Sequence, residues 1–424
     1  MKGGFVMDSR RSIILLTLAV FAFSLFMAPS LVMGADTIRV GVLQDQTGRY
    51  ASYGKPVTAA AKFIMDEVNE SGGIKSLGGA KIELVIADSQ TNTKRTVTEL
   101  ERLLTQEKVV TVLGPFSSSQ NKAAAPLYDK YKIPGVAVIC TGDPVFPMHL
   151  KWWRTIAVPT DEIGFWHAEI LHWLVTKHGY KPKKIAVIYP DNSYGKGVGR
   201  GATERLAKYG YKVAVDLPFN WKAPDFKPYI LKLKGADVDT VIQCSYTQDG
   251  ILSHQARYAL DYYPVMIGGI GSFSDDKLWS KVGGGEVAKK ALEGPFFAAA
   301  WVELNDPYAS FQAFVKRAEA KGIKVGGADG QEPNWFTMGA QGAIAIKLAL
   351  ERAGSTDPAA INNAFKKMKI PRGSRDMVCP TFDPALEWDA DGKPLHATMR
   401  EVQWYDGKKK FVYPESVAEA KPRF

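Results

Sequence analysis

Short apolar strands alternate with amphipathic helices from residue 37 onwards, and this alternation limits the folds open to the chain. Strands are predicted at 38–43, 81–87, 109–113 and 135–139, and helices at 56–68, 93–106 and 120–131. Neighbouring parallel strands need a crossover between them, which is usually a helix. The sequence therefore predicts a parallel sheet covered by helices on both faces.

The same alternation restarts after Asp161. The second set comprises helices at 162–178, 197–209, 226–233 and 250–259 and strands at 184–189, 212–216, 240–243 and 265–267, with a long apolar helix at 332–353. Because 424 residues exceed one core of ordinary size, we expect an α/β fold of two lobes, each with a parallel sheet flanked by helices. No low-complexity linker joins the lobes, which favours hinge closure over loose tethering.

The first 35 residues have the composition of a secretory signal peptide. Lys2, Arg10 and Arg11 precede an uncharged apolar run at 13–26, and small residues follow at Gly34 and Ala35. We expect cleavage near Gly34 or Ala35 and export to the periplasm. The run is shorter than the roughly 20 residues that a membrane-spanning helix needs, so the mature protein should be free of the membrane. Residues 9–14 also resemble a twin-arginine signal, which leaves two export routes open.

The charge balance does not indicate a nucleic-acid partner. A chain with 46% hydrophobic and 23% charged residues is typical of a soluble globular protein. The formal net charge is +10 and falls to +8 without residues 1–35, which hold three basic residues and one acidic residue. The lysines are scattered, so solvated surface charge explains the excess better than binding to nucleic acid.

Cysteine and histidine positions predict neither a metal site nor a cofactor. Cys140, Cys244 and Cys379 allow at most one disulfide, and their wide separation favours none. Cys140 and Cys244 follow or end predicted strands, as small buried residues do. His167 and His172 lie five residues apart, which misses the spacing of a shared metal on one helix face.

The strand at 109–113 leads directly into a turn rich in hydroxyl groups. Gly114, Pro115 and Phe116 are followed by the consecutive serines at 117–119, where the next helix begins. Free backbone N–H groups at such an end bind anions, although ordinary capping by serine explains the same pattern. The turn contains no lysine or acid, so it offers hydrogen bonds rather than reactive groups.

Ligands of open parallel sheets bind beyond the carboxyl ends of the strands. The residues predicted there are hydroxyls, amides and aromatic rings, at 44–48, 53, 116–120, 139–142, 191–195, 246–249 and 268–273. Ser193 follows Asp191 by two residues, yet no histidine lies near it in sequence and no Gly-x-Ser-x-Gly elbow occurs. The pattern therefore predicts a binding protein without catalytic residues rather than an enzyme.

A series of short motifs resembles one family. The motifs, in chain order, are Gly48-x4-Tyr53-Gly54, Asn69-x2-Gly72-Gly73-Ile74, Gly114-Pro115-x-Ser117-Ser118-Ser119, Ile133-Pro134, Arg154-Thr155-x4-Thr160-Asp161, Tyr194-Gly195-x-Gly197 and Trp388-Asp389-x-Asp391-Gly392. Over nearly all of residues 36–410 the chain is similar to the periplasmic substrate-binding proteins of branched-chain amino acid ABC importers, the leucine/isoleucine/valine-binding type.

The resemblance implies the type I periplasmic binding fold, in which three hinge segments join two lobes that close on the ligand. Lobe 1 would comprise residues 36–158 with 298–377 returning to it, and lobe 2 residues 159–297 with 381–424 returning. The third crossover would lie near residues 377–381. Gln90 and Ser117 stand where enteric members of the family have the two cysteines of a first-lobe disulfide.

The candidate ligand-binding residues all follow predicted strands or begin predicted helices. They are Tyr53, Phe116, Ser117, Ser118, Ile139, Cys140, Thr141, Tyr194, Tyr246 and Ile270. By resemblance, Ser118 and the backbone at Ile139 with Thr141 occupy positions that bind an amino acid's carboxylate and ammonium. The three tyrosines match positions that line the pocket or contact the ligand.

Ile270 is a departure from the family pattern. Gly268-Gly269-Ile270-Gly271 aligns with a Gly-Pro-Glu-Gly stretch whose glutamate pairs with the ligand's ammonium. An unpaired ammonium in a closed site is costly, because a buried charge needs a partner. Either Asp249, Asp275 or Asp45 replaces the glutamate, or the ligand has no ammonium.

The resemblance implies a monomer that captures a branched-chain or other hydrophobic amino acid, or a related small carboxylate, by hinge closure. Its partner would be a membrane permease. Two alternatives remain open: a ligand without an ammonium, such as an aromatic acid, amide or urea, and service as the separate ligand-sensing subunit of a receptor. Aromatic residues predicted near the cleft, including Phe273 and Trp335, fit an aromatic acid or packing between the lobes.

Overall fold

The computed structural model describes Met1 and residues 37–138, 144–269, 273, 275, 277–300, 302–327 and 329–424. Residues Thr37–Phe424 form one compact unit. Apart from Met1, the predicted signal peptide lies outside the described residues. None of the described helices is both long and apolar enough to cross a bilayer.

The described residues form fourteen strands and thirteen α-helices. The strands are β1 (Ile38–Gln44), β2 (Ile82–Asp88), β3 (Thr111–Leu113), β4 (Gly135–Ala137), β5 (Trp153–Thr155), β6 (Ile185–Pro190), β7 (Val213–Phe219), β8 (Thr240–Gln243), β9 (Val265–Gly268), β10 (Phe296–Ala300), β11 (Ile370–Pro371), β12 (Ala385–Leu386), β13 (Arg400–Tyr405) and β14 (Lys408–Tyr413). The helices are α1 (Ala51–Glu70), α2 (Thr93–Thr105), α3 (Ser118–Ala124), α4 (Pro126–Tyr131), α5 (Thr160–His178), α6 (Ser193–Lys208), α7 (Lys227–Gly235), α8 (Thr247–Ala259), α9 (Leu278–Val282), α10 (Gly285–Leu292), α11 (Ala309–Ala320), α12 (Pro333–Ala353) and α13 (Pro358–Lys366).

The first five strands form a parallel sheet in the order β2-β1-β3-β4-β5. Val42 in β1 lies opposite Ile86 in β2 and Leu113 in β3. Nearly every residue of β1 and β3 is buried, because helices cover both faces of the sheet, and their sequences are accordingly almost continuous apolar runs. Since the strands are parallel, their carboxyl ends all lie at one edge of the sheet.

The second sheet has seven strands in the order β14-β13-β10-β9-β8-β6-β7. The five strands β6 to β10 are parallel to one another, and β13 and β14 add an antiparallel edge. One face packs on Phe226 and Ile230 near α7, and the other on Leu171 of α5 and Leu206 of α6. The two helix-covered sheets confirm the predicted α/β fold of two lobes. We call the five-stranded sheet and its helices the first lobe, and the seven-stranded sheet and its helices the second lobe.

The chain passes between the lobes three times. It leaves the first sheet after β5, returns after β10 to form α12, which packs on α1, β3 and β4, and ends in the second sheet with β13 and β14. The lobe boundaries predicted from the sequence stay predictions, and β10 keeps the chain in the second sheet as far as Ala300.

The β13–β14 hairpin was not predicted from the sequence. A two-residue turn, Asp406 and Gly407, joins the strands, and both residues have positive φ angles of 50° and 74°. Asp-Gly is a preferred pair for such hairpins because both residues tolerate this conformation. The hairpin signal was therefore present, although the lysines of β14 are interpreted from the sequence only as solvated surface charge.

The prediction of one continuous helix at 120–131 is wrong. The structure contains α3, which ends at Ala124, and α4, which begins at Pro126. Proline has no N–H for a helix interior and fits the first turn of a new helix instead. Helix α3 also begins two residues earlier than predicted, because Ser117 caps it.

Helices α1 and α12 approach each other closely at Gly339. A Cβ atom at Gly339 would lie 2.7 Å from the Cα atom and 2.8 Å from the carbonyl oxygen of Val57. Only glycine leaves room for the backbone of Val57, which lies one helical turn after Tyr53 in α1. The approach places the first turns of the two helices side by side, with the rings of Tyr53 and Trp335 5.2 Å apart between centroids.

We expect Gly339→Ala to destabilise the protein although alanine favours helices. The added methyl group must push against backbone atoms of Val57, and such overpacking costs about 1–3 kcal/mol. The change should appear as a lower melting temperature in circular dichroism. Gly235→Ala is the control, because nothing lies within 4 Å of a Cβ at that exposed position in α7. An equal melting temperature for both variants would contradict this account of the contact.

Candidate functional site

The two lobes meet where the loop after β1 contacts the loop after β8. The hydroxyl oxygen of Tyr53, in the first turn of α1, accepts a hydrogen bond of 2.7 Å from the backbone N–H of Thr247. The same hydroxyl lies 2.8 Å from Oγ1 of Thr247. Both residues are buried. We call this line of contact between the first turns of α1 and α8 the seam.

Aromatic rings from both lobes pack together beside the seam. Tyr50 is central: its ring centroid lies 4.9 Å from that of Tyr246, 5.0 Å from that of Phe116 and 5.8 Å from that of Trp221. Tyr53 stacks on Phe116 at 5.0 Å. We call the whole group the aromatic cluster; its members are Tyr50, Tyr53, Phe116, Tyr194, Trp221, Tyr246 and Trp335. An apolar body in this place would therefore contact ring faces and edges contributed by both lobes.

An ion pair also crosses the seam. The Nη2 atom of Arg49 lies 2.7 Å from Oδ1 of Asp249, whose side chain is almost completely buried. Burial raises the pKa of Asp249 to about 6, and the nearby Arg49 guanidinium opposes that rise. The carboxylate is therefore held in place by a cation of the other lobe, at a cost in desolvation.

The Gly114–Ser118 turn after β3 is held rigidly. Ser117 caps α3: its Oγ accepts from the N–H of Gln120 at 3.3 Å, and its own N–H donates to Oε1 of Gln120 at 2.8 Å. The turn requires glycine at position 114, which has a φ of 134° and whose Cβ would lie 2.1 Å from the carbonyl oxygen of Leu43. Capping by serine, one of the two explanations open from the sequence, is thus observed at Ser117, directly beside Ser118.

The three acids considered as replacements for the missing glutamate already have protein partners. Asp45 accepts hydrogen bonds from Ser89, Thr91 and Gln120. Asp249 pairs with Arg49. The third, Asp275, accepts from the N–H of Lys277 and lies 3.3 Å from Nζ of Lys281. A ligand ammonium would have to compete with these donors for each carboxylate.

Two cavities lie along the seam, with volumes of about 560 Å³ and about 390 Å³. Ser52, Thr247 and Lys281 line both of them, and Tyr53 and Tyr246 line the first. Binding sites for small molecules typically enclose about 300–1,000 Å³. The seam therefore has room for a small molecule next to the aromatic cluster.

Two cysteines fall within the described residues, and both are buried thiols. Cys244 directly follows β8 and is buried, as predicted. Burial raises the pKa of its thiol above the ordinary value. Cys379 lies 3.1 Å from the hydroxyl of Thr381. Within the ranges that the structure describes, no group of three metal-ligating side chains occurs.

The structure brings together six of the ten predicted site residues. Tyr53, Phe116, Tyr194 and Tyr246 belong to the aromatic cluster, and Ser117 and Ser118 begin α3 directly after Phe116. The other four, Ile139, Cys140, Thr141 and Ile270, lie outside the described residues. The ligand-binding role of all ten stays a prediction.

Three residues at the seam were missed from the sequence. Tyr50 and Arg49 lie between β1 and α1, and Trp221 follows β7 at the carboxyl edge of the second sheet. The position of each after a strand end was a usable signal. One aromatic was misplaced: Phe273 packs against His254 and Phe296 in the core of the second lobe, because its ring turns into the space between α8 and β10.

Comparisons with known proteins agree with this geometry. Residues 37–409 match the family described as periplasmic binding protein. A curated relative from Brucella abortus, called Leu/Ile/Val-binding protein homolog 7, is 27% identical over 408 residues, which is 95% of this chain and 97% of the relative.

Solved structures have the same fold. The branched-chain amino acid transporter substrate-binding protein LivJ from Streptococcus pneumoniae, in complex with isoleucine, superposes with a TM-score of 0.72 at 22% identity, over 89% of this chain and 100% of LivJ. A solute-binding protein of an ABC transporter from Rhodopseudomonas palustris, in complex with 3,4-dihydroxybenzoic acid, also gives 0.72 at 22% identity, over 88% and 95% of the two chains. At this identity the likeness concerns the fold alone.

We expect Asp249→Asn to make the stability of the protein less dependent on pH. The pKa of Asp249 rises from 3.8 to about 6 on folding, so folding takes up a proton between these values. The corresponding stability is present below pH 4 and is lost as the pH rises through 6, which amounts to roughly 3 kcal/mol at most. The stability of the variant relative to that of the wild type should therefore increase as the pH is raised from 4 to 7.5.

Melting temperatures at pH 4, 6 and 7.5 measure this difference. Asp66→Asn is the control, because Asp66 is an exposed residue of α1 that pairs with Lys62 within the same helix. Its difference from the wild type should stay small and nearly constant. A difference for Asp249→Asn that does not change with pH would show that this carboxylate is not perturbed at the seam.

Proposed function

The chain belongs to the periplasmic binding protein family, and we propose that it is the extracytoplasmic solute-binding component of an ABC importer. The family consists of substrate-binding transport proteins and not of enzymes. We propose that this member captures a branched-chain or other hydrophobic amino acid, or a related small carboxylate, by closure of its two lobes. It would then deliver the solute to a membrane permease.

The observation that carries this proposal is the seam. Groups from the carboxyl ends of two parallel sheets meet there, as at ligand sites of α/β proteins generally. They are hydroxyls and aromatic rings, with Tyr53 bonded to Thr247 across the lobes. Such groups bind a small amphipathic molecule by hydrogen bonds and apolar contact, without attacking it.

In this proposal the serines of the turn after β3 bind the carboxylate of the solute. Ser117 and Ser118 are nearly inaccessible to solvent, at 6% and 3% exposure, so hydrogen bonds made there are shielded from water. Ile139, Cys140 and Thr141 would complete the polar end of the site, and Tyr53, Phe116, Tyr194 and Tyr246 its apolar wall. The relatives named for binding leucine, isoleucine and valine or solved with isoleucine support a hydrophobic solute.

An aromatic carboxylate without an ammonium is the second candidate. Asp45, Asp249 and Asp275 each have protein partners, and Ile270 stands at the position of the family's glutamate. The aromatic cluster supplies ring surfaces for a planar ligand. The structural relative from Rhodopseudomonas palustris was solved with 3,4-dihydroxybenzoic acid, which is a ligand of this class.

The remaining features of the proposal concern location and assembly. We propose that residues 1–35 direct export and are removed near Gly34 or Ala35, and that the mature protein acts in the periplasm as a monomer. The three passages of the chain between the lobes would serve as the hinge, with lobe boundaries near 158/159 and 377/381 and a second passage after Ala300, where β10 ends.

A thermal-shift screen of the mature protein tests the proposal. Hydrophobic amino acids, aromatic acids, and their amides should be compared at equal concentrations. A ligand at one hundred times its dissociation constant should add about 2.7 kcal/mol to the free energy of unfolding. Small-angle scattering with and without the best ligand would then report closure. Failure of every carboxylate to stabilise the protein would contradict the proposed function.

We expect Ser118→Ala to weaken binding of the best carboxylate ligand by about 1–3 kcal/mol, because a buried charged group loses a hydrogen-bond partner. Isothermal titration calorimetry measures the change. Ser119→Ala is the matched control, because Ser119 is the next residue of α3 and is partly exposed. Equal affinities for the two variants would place the carboxylate elsewhere.

We expect Ile270→Glu to separate the two ligand classes. A glutamate at this position supplies a counter-charge for an ammonium, so leucine should bind more tightly to the variant than to the wild type. Benzoate, which has no ammonium, should bind more weakly because its carboxylate meets a like charge. Titration of both ligands into both proteins is the measurement. If leucine gains nothing, residue 270 does not lie beside the ammonium.

A further inference from the structure

The turn that carries Ser117 and Ser118 is fixed by two neighbouring amide side chains of α3. The side-chain oxygen of Gln120 accepts from the N–H of Ser117, and the backbone N–H of Gln120 donates to the Ser117 hydroxyl. Asn121 donates through Nδ2 to the carbonyl oxygens of Pro115 at 2.9 Å and Ser117 at 3.0 Å. Each amide has a donor end and an acceptor end. The end that faces the turn therefore decides whether the turn presents hydrogen-bond donors or acceptors to a ligand, which we call the polarity of the turn.

The orientation of Gln120 is set by Asp45. The Nε2 atom of Gln120 lies 3.1 Å and 3.3 Å from the two carboxylate oxygens of Asp45. Ser89 and the N–H of Thr91 also donate to this carboxylate, which is fully buried. Burial raises the pKa of Asp45, and the hydrogen bonds from Ser89, Thr91 and Gln120 oppose that rise and favour the ionised form. An ionised carboxylate only accepts hydrogen bonds. The NH2 end of Gln120 must therefore face Asp45, and its oxygen must face the N–H of Ser117.

The orientation of Asn121 is set by a hydrogen-bond donor, the indole of Trp153. The indole Nε1 of Trp153 donates to Oδ1 of Asn121 at 2.9 Å. Because an indole only donates, the NH2 end of Asn121 must face the turn. There the NH2 group donates to carbonyl oxygens that could otherwise accept hydrogen bonds from a ligand. The carbonyl of Gly114 is likewise occupied, by the hydroxyl of Tyr128 at 2.7 Å.

We propose that Asp45 is a positioning residue that acts through Gln120 to fix the polarity of the serine turn. The carbonyl acceptors of Gly114, Pro115 and Ser117 are occupied by protein donors, and the oxygen of the Ser117 hydroxyl accepts from α3, which leaves that hydroxyl to donate. The turn thus recognises an oxygen acceptor such as a carboxylate. This inference rests on the proposed function, because it concerns the same binding site.

Asp45→Asn tests the inference with two pairs of probes, leucine with leucinamide and benzoate with benzamide. Asparagine keeps one acceptor oxygen and replaces the other with an NH2 donor, so the NH2 end of Gln120 is held less firmly and the hydrogen bond that its oxygen accepts from the Ser117 N–H is less well fixed. A carboxylate ligand gains more binding free energy from the hydrogen-bond donors of the turn than the corresponding amide does, because hydrogen bonds to a charged group are stronger. We expect the preference for carboxylate over amide to fall by about tenfold or more.

Gln120→Met is the second variant, because it removes the link and retains Asp45. It should reduce the same preference, and the double variant should be no worse than either single one, as expected for residues that act in one chain of contacts. Asp239→Asn is the control: Asp239 directly precedes β8 in the second lobe and accepts from the N–H groups of Lys183 and Lys184, away from Ser117.

The outcomes are distinct. A loss of melting temperature with an unchanged carboxylate preference in Asp45→Asn and Gln120→Met overturns the inference and leaves the proposed function standing. The same loss of preference in Asp239→Asn also overturns it, because the effect is then not specific to this contact. If the wild type binds neither carboxylate, the proposed function fails and the inference fails with it.

Discussion

The hydrogen bonds between Tyr53 and Thr247 are the contact on which the geometry of the site depends. They join the first turns of two helices, one from each lobe, and each helix follows a strand at the carboxyl edge of its sheet. A typical hydrogen bond contributes only about 1 kcal/mol net, because the same groups bond to water when apart. Closure held by a few such contacts is close to balance, which suits a protein that must both capture a solute and release it.

The ionisable groups near the seam are arranged for binding rather than for proton transfer. Burial raises the pKa of Tyr50, Tyr53 and Tyr246 above the ordinary value, so these phenols stay neutral at physiological pH. Asp249, whose pKa burial raises to about 6, is bonded to Arg49 of the other lobe. A general acid or base must reach its substrate, and these groups are directed at protein partners instead.

The sequence predicts the fold well because parallel sheets leave a strong local pattern of buried strands and amphipathic helices. It also predicts that Tyr53, Phe116 and Tyr246 come together, since the carboxyl ends of parallel strands share one edge. It does not reveal the partners of these residues. Tyr50 and Trp221 meet across the lobes by a contact between positions far apart in the chain, which no local pattern records. The hairpin at β13 and β14 was missed for another reason, since three consecutive lysines, Lys408 to Lys410, interrupt the alternating pattern expected of β14.

In the site proposed above, ligand binding and closure would be coupled through adjacent residues. Phe116 immediately precedes Ser117, and its ring stacks on Tyr53, whose hydroxyl bonds to Thr247 of the other lobe. A solute bound at the serine turn, as we propose, would therefore lie next to the stacked rings that lead to the contact between the lobes. A ligand shifts a conformational equilibrium only by the difference between its affinities for the two states. In the proposed site, a solute that touches the serines of one lobe and the rings of both would gain most of its contacts when the lobes close, and this difference in affinity would drive closure.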